Sequence, residues 1–161
     1  MKMKAMWWVG LMLVVAGLAV SLQVRAADNP NNGTWKLNLD KSKFDPGPAP
    51  KMETITVSIE GGMETFKAEG TDGSGNPMAW SFTAKTDGTE APVTGNPNGD
   101  TISLKQVNSH HLIAHLKKDG KDTTTAHVVV SKDGKTRTQT YSGKNAAGKE
   151  VHDVLVFEKQ M

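Results

Sequence analysis

From residue 33 onward the chain alternates. In "GTWKLNL", Trp35, Leu37 and Leu39 take one parity, and Thr34, Lys36 and Asn38 take the other. The same two-residue period recurs in Ile55, Val57 and Ile59, in Phe66 and Ala68, in Met78, Trp80, Phe82 and Ala84, and in Ile102 and Leu104. Such a period marks a strand with one dry face and one wet face. It predicts strands at 33–39, 52–60, 63–69, 78–86, 89–94, 100–107, 110–118, 121–131, 135–143 and 150–159. No window carries a helical period. The last segment, "EVHDVLVFEKQ", is apolar on both parities, which suits a strand whose outer side is partly covered.

The segments between strands sharpen this. "KKDGK" (117–121) and "SKDGK" (131–135) each place Asp-Gly between lysines, and "KTDGTE" (85–90) repeats the device. Asp-Gly between strand residues predicts a two-residue hairpin turn, whose central positions both need positive φ. Consecutive hairpins make a meander. A meander of about ten strands with no helix to cover its edges must close on itself. The expected fold is therefore all-β: a closed antiparallel up-and-down barrel. "DKSKFDPGPAP" (40–50) breaks the rhythm with three prolines and a glycine. Proline removes a ladder donor and holds its predecessor extended. This stretch reads as a loop crossing one barrel mouth with Phe44 tucked inward, and "TGNPNGD" (94–100) as a wide turn.

Strands 110–143 are assigned to faces through the Asp-Gly turns. That register sets Val130 opposite Arg137, Val128 opposite Gln139 and Ala126 opposite Tyr141. It groups these residues with Ile113, His111 and His115 on the inner face. Leu112, Leu116, Val129 and a ladder of threonines then fall outside. A single bulge would reverse the assignment.

Residues 1–26 have the pattern of a secretory signal: Lys2 and Lys4, an apolar run from Met6 to Val20, and Val24-Arg25-Ala26 before the cleavage point. Residues 27–161 then form one domain. Lys2, Lys4 and Arg25 fall in the leader and no acidic residue does, so the formal charge of +2 drops to about −1 for the rest. Near-neutrality argues against nucleic acid as a partner. The chain has no cysteine, so an exported domain is held by its core alone. The expectation is a bacterial periplasmic or secreted monomer, without a membrane span once the leader is removed.

Little points to catalysis. Along a strand His111 and His115 stand about 13 Å apart, too far to share an ion. His110 and His127 approach only diagonally and lack a third ligand. "DGSGN" (72–76) sets a serine in a turn with no helix behind it, so it is no nucleophile elbow. The glycines lead into strands, never into a helix N-terminus that would cradle phosphate. No catalytic residue, metal or cofactor is expected. The candidates are instead ligand-lining: Trp80, Phe82, Phe66, Arg137, Gln139, Tyr141, Leu155 and Phe157, with Trp35 as a structural plug at the barrel's closed end.

"GTWKL" (33–37) followed by "KSKF" resembles the start of the fatty-acid-binding proteins, and Gly-x-Trp is also the lipocalin signature. "LVFEKQ" (155–160) resembles the final strand of the fatty-acid-binding group, which ends Arg-x-Tyr-Glu-Lys. The chain is also similar to small exported bacterial lipocalin-like proteins of unassigned function. The resemblance implies a lipocalin-like barrel that holds a small molecule. In the fatty-acid-binding group the final Arg and Tyr hold the ligand carboxylate; Leu155 and Phe157 stand at those positions here, and the helical lid is replaced by the proline-rich loop. Arg137 and Tyr141 are then the candidate substitute anchor for an acidic head. The expected function is non-catalytic binding of a small apolar or amphipathic molecule. The alternative is an envelope interaction or stress protein with a filled core that acts through its surface.

Overall fold

The computed structural model describes residues 28–161; the leader assigned to residues 1–26 lies outside them. The alternating segments form ten antiparallel strands: β1 (Gly33–Leu37), β2 (Met52–Glu60), β3 (Met63–Thr71), β4 (Pro77–Lys85), β5 (Asp87–Thr94), β6 (Thr101–Asn108), β7 (His111–Lys118), β8 (Lys121–Val130), β9 (Thr136–Lys144) and β10 (Glu150–Lys159). Each pairs with its sequence neighbour, and β10 returns to pair with β1, closing the sheet into an up-and-down barrel. A 3-10 turn at Leu39–Lys41 is the only helical element among the described residues.

Closure rests on the shortest strand. Trp35 lies opposite Ile55 on β2 and Lys159 on β10, and Leu37 lies opposite Phe157. Trp35 and Phe157 are fully buried, each contributing about 3 kcal/mol of hydrophobic stabilisation. The Trp35 indole N–H donates to the Asn31 carbonyl at 2.9 Å, and the Lys159 ammonium stands 5.0 Å from the indole centroid. Gly33 is required here. Its φ is +133°, and a Cβ would sit 2.7 Å from Lys159 Cε.

The connections fall into two sets. The N-terminal residues, the tight turns at 61–62 and 109–110 and the 131–135 loop gather at the end that Trp35 fills. Asn32 ties the first of these turns down by accepting from the Ile59 N–H at 2.6 Å. The proline-rich segment, the 72–76 turn, the 95–100 loop and the 119–120 and 145–149 turns form the opposite end, the mouth. Of the Asp-Gly turns, 119–120 is the two-residue form, with φ of 50° at Asp119 and 73° at Gly120. At 133–134 only Gly134 has positive φ, and the strands end at Val130 and resume at Thr136, so a longer loop replaces the tight turn. In "KTDGTE" the turn falls on Thr86, and Asp87 already belongs to β5.

The inner face of β7 differs from the expectation. Lys118 does pair with Lys121, and Lys117 with Asp122, but His115 pairs with Thr125. Thr123 and Thr124 together therefore oppose Leu116. This bulge shifts β7 by one residue against β8, turning Leu112, Ala114 and Leu116 inward and His111, Ile113 and His115 outward. The β8–β9 register is the expected one, with Val130 opposite Arg137, Val128 opposite Gln139 and Ala126 opposite Tyr141. Arg137 and Gln139 are buried.

Arg137 meets Glu64 across the interior, Nη2 to Oε1 at 4.0 Å. Both are buried, and Glu64 Oε2 and Arg137 Nε and Nη1 have no hydrogen-bond partner. Burial pushes the Glu64 carboxyl up and the Arg137 guanidinium down, and each is partly restored by the other's charge. Removing one member of such a pair leaves the other charge buried alone, at a cost of about 3–5 kcal/mol. We therefore expect Glu64→Leu and Arg137→Met each to destabilise strongly, and the double variant to recover most of the loss. Urea unfolding of the two single variants and the double measures this coupling; losses that simply add would contradict it.

Candidate functional site

On three strands the inward residues end at the mouth in a glycine or a threonine. Along β3 they run Glu64, Phe66, Ala68, Gly70; along β9, Arg137, Gln139, Tyr141, Gly143; along β8, Val130, Val128, Ala126, Thr124. The closed half is filled. There Phe66 and Phe82 stack at 5.0 Å between centroids, and Phe66 meets Trp80 at 4.5 Å. Toward the mouth two glycines let neighbouring strands approach closely. A Cβ on Gly70 would lie 2.1 Å from the Met52 carbonyl oxygen, and one on Gly143 would lie 2.3 Å from that of Thr123. Between the strand ends and the loops of this end lies a cavity of about 350 Å³.

Trp80, Leu116 and Tyr141 form its floor. The same three residues bound a second space of about 20 Å³ in the packed half, no larger than one water molecule needs. The roof comes from the proline-rich segment through Phe44, Pro48 and Pro50. That segment is tied to β10. Lys43 bridges Val154, His152 N–H donates to the Asp45 carbonyl at 2.6 Å, and Asp45 N–H donates to Asp153 Oδ1 at 2.7 Å. Phe44 is thereby held against the core, as the sequence suggested. The 95–100 loop and the 72–76 turn supply the remaining rim.

The candidate residues divide between the two spaces. Trp80, Tyr141 and Leu155 line the mouth cavity. Phe66, Phe82, Arg137 and Gln139 line the small inner space, together with Trp80 and Tyr141. Phe157 borders neither; it is fully buried beside β1. Trp35 is fully buried on the inner face of β1. Arg137 and Tyr141 do not form a joint anchor in the mouth: Arg137 lies behind the floor and faces Glu64, while the Tyr141 hydroxyl donates to Gln139 Oε1 at 2.7 Å.

Three residues at the mouth were not among the candidates and carry its charge: Glu53, Asp72 and Asp153. Glu53 is only 6 % exposed. Burial pushes its carboxyl up to about 7, against a smaller opposing effect from the Trp80 indole. Burial also raises Asp153, partly offset by the Asp45 N–H. Asp72 accepts backbone N–H bonds from Ser74 and Asn76, and that from Asn76 leads in holding its carboxyl low. Burial, followed by the charge of Glu53, pushes the Tyr141 phenol up. Glu53 and Asp153 are both signalled by parity: Glu53 is in phase with Ile55, Val57 and Ile59, and Asp153 with Leu155 and Phe157.

The histidines lie elsewhere. His111, not His110, meets His127 on the outer surface, Nε2 to Nδ1 at 3.2 Å, with ring centroids 5.5 Å apart. Among the described residues no group of three or more His, Cys, Asp or Glu is placed to hold a metal ion. Comparison with protein families, curated proteins and solved structures finds no significant match.

A carboxyl raised in the folded state makes folding less favourable as it ionises. Between pH about 4.5 and about 7 the unfolded chain has lost the Glu53 proton while the folded chain keeps it, so stability falls as pH rises. Relative to a Glu53→Gln variant, the protein should lose about 3 kcal/mol across this window. Urea unfolding of both proteins at each end of the window measures it; parallel pH profiles would contradict it.

Proposed function

We propose that the protein binds a small apolar or amphipathic molecule in the mouth of its barrel, without chemical conversion. The observation that carries this reading is the cavity of about 350 Å³, floored by Trp80, Leu116 and Tyr141 and roofed by Phe44 and two prolines. Its size lies at the lower end of the range for small-molecule sites, and its lining combines aromatic and aliphatic groups with polar ones, three of them carboxyls. The filled closed half supports the alternative of a barrel acting through its surface, but it does not extend to the mouth. The closed ten-strand meander, the Gly33–Trp35 element and the Glu158-Lys159 ending support a place among lipocalin-like and fatty-acid-binding-like barrels. The leader pattern of residues 1–26 supports export.

The lipid-carrier version of this reading is not favoured. The fatty-acid-binding group's carboxylate anchor falls on Leu155 and Phe157, and Arg137 is already engaged by Glu64. The occupied site is therefore the shallow mouth rather than the full length of the barrel.

Native mass spectrometry of the protein isolated from its own source should find a co-purifying small molecule that leaves on denaturation. Rebinding should change the tryptophan fluorescence, and Trp80→Phe should remove most of that change while Trp35→Phe keeps it. Spectra at the bare chain mass, together with no fluorescence response to any aromatic compound tried, would reject the proposal.

A further inference from the structure

The lining of the mouth cavity bears on the charge of the ligand it would hold. We propose that the cavity takes an organic cation, a small aryl-alkyl amine whose ammonium faces Glu53 and whose ring lies against Trp80. This rests on the mouth cavity being the binding site and adds the chemical class of its ligand.

The charged side chains that line the cavity are Glu53, Asp72 and Asp153; no Lys, Arg or His lines it. The three acids are not equivalent. Asp72 is turned back on its own turn, accepting from the Ser74 and Asn76 N–H groups. Asp153 spends one oxygen on the Asp45 N–H that anchors the roof. Glu53 is the deep one, nine-tenths buried beside the floor. Among the described residues no basic group forms an ion pair with it.

The two buried glutamates make the contrast plain. Glu64 lies behind the floor and has Arg137 as its internal counter-charge. Glu53 lies in front of the floor and has only the aromatic Trp80 and Tyr141. A buried carboxylate without a partner is costly, and each ligand class alters that cost differently. A neutral ligand strips the remaining water from Glu53 and returns at most a hydrogen bond. An anion adds repulsion from three carboxylates. An ammonium supplies the missing counter-charge. Room for such a head group is the mouth cavity itself, which Glu53 lines together with Thr124, Val151 and Asp153.

The binding should also depend on pH. The groups surrounding Glu53 are Tyr141 on β9, Asp153 on β10 and Asp72 in the β3–β4 turn, with Glu64 and Arg137 behind the floor and Lys51 reaching toward Gly75 at the rim. With the Glu53 carboxyl at about 7 in the empty site, binding a cation expels its proton, and affinity rises with pH.

The test uses calorimetric titration of the full chain with three probes of one shape: naphthylethylamine, naphthylethanol and naphthylacetate. The amine should bind about tenfold tighter than the alcohol, with the acetate weakest. Between about pH 6 and about pH 8 the amine's affinity should rise about tenfold while the alcohol's stays level. Glu53→Gln should bring the amine down to the alcohol and remove the pH dependence; the pH series on the unaltered protein stands as a test even if that variant folds poorly. An alcohol or acetate that binds as tightly as the amine, or an amine affinity flat in pH, would overturn the cation assignment and leave a neutral or acid-binding mouth. Failure of all three probes to bind would overturn the cation assignment and the mouth-binding reading together.

Discussion

The pairing of β1 with both β2 and β10 is the constraint on which the rest of the molecule depends. A helix-free meander leaves two edges, and five residues, Gly33–Leu37, close both. So short a strand contributes few ladder hydrogen bonds, and its hold comes from side chains. Trp35 fills the interior at that end, Phe157 packs behind Leu37, and the Lys159 stem crosses the indole over Gly33, whose φ would strain any larger residue. The opening and closing motifs of the domain are therefore one physical unit, split between the chain's two ends by the order of the strands.

With that end sealed, interior volume has to be accounted for along the barrel axis. A ten-strand barrel is wider than its smaller relatives, and aromatic and branched side chains fill only its closed half. Phe66, Phe82, Ile102, Leu104, Leu112 and Val128 occupy that half and leave a space no bigger than a water. Toward the mouth Met78, Thr124, Val151 and Leu155 stand around an open space that the strands do not fill. The floor between the two regimes is built from three strands that do not adjoin one another, through Trp80, Leu116 and Tyr141. The fold thus separates a region that provides stability from one with room for a guest.

Strand existence and the closed meander were legible because both rest on local signals, parity and turn chemistry. The β7 face was not. It depends on two consecutive threonines opposing Leu116, and Thr123 and Thr124 look like any other members of the ladder "DTTTAH". The bulge is stabilised by tertiary contacts: Thr123 Oγ1 reaches the Asn98 carbonyl at 2.7 Å and the Leu116 carbonyl at 3.1 Å, and Gly143 lets β9 approach. Glu53 and Glu64 were missed for a different reason. Parity already aligned them with Ile55 and Phe66, but acidic side chains are presumed to face water, and that presumption ended the inward stripes one position early. Arg137 was correctly placed inside, yet its partner could not be named, because Glu64 and Arg137 meet across the lumen and not along the sheet.

The two inward glutamates show how a closed barrel can encode a preference in its charge balance. A lumen of this kind excludes most water, so each charge within it needs a partner or a raised cost. The Glu64–Arg137 pair satisfies this inside the protein. It also withdraws the only inward guanidinium among the described residues from any ligand, which removes the usual means of holding an acidic head group. Glu53 is left on the mouth side of the floor with no basic partner among the described residues. The two facts act in the same direction. Neutralising the basic group behind the floor and leaving the acid in front of it both make the mouth more negative than the barrel's near-neutral total would suggest. In the proposed site, selectivity would follow from which side of the Trp80–Tyr141 floor each charge occupies.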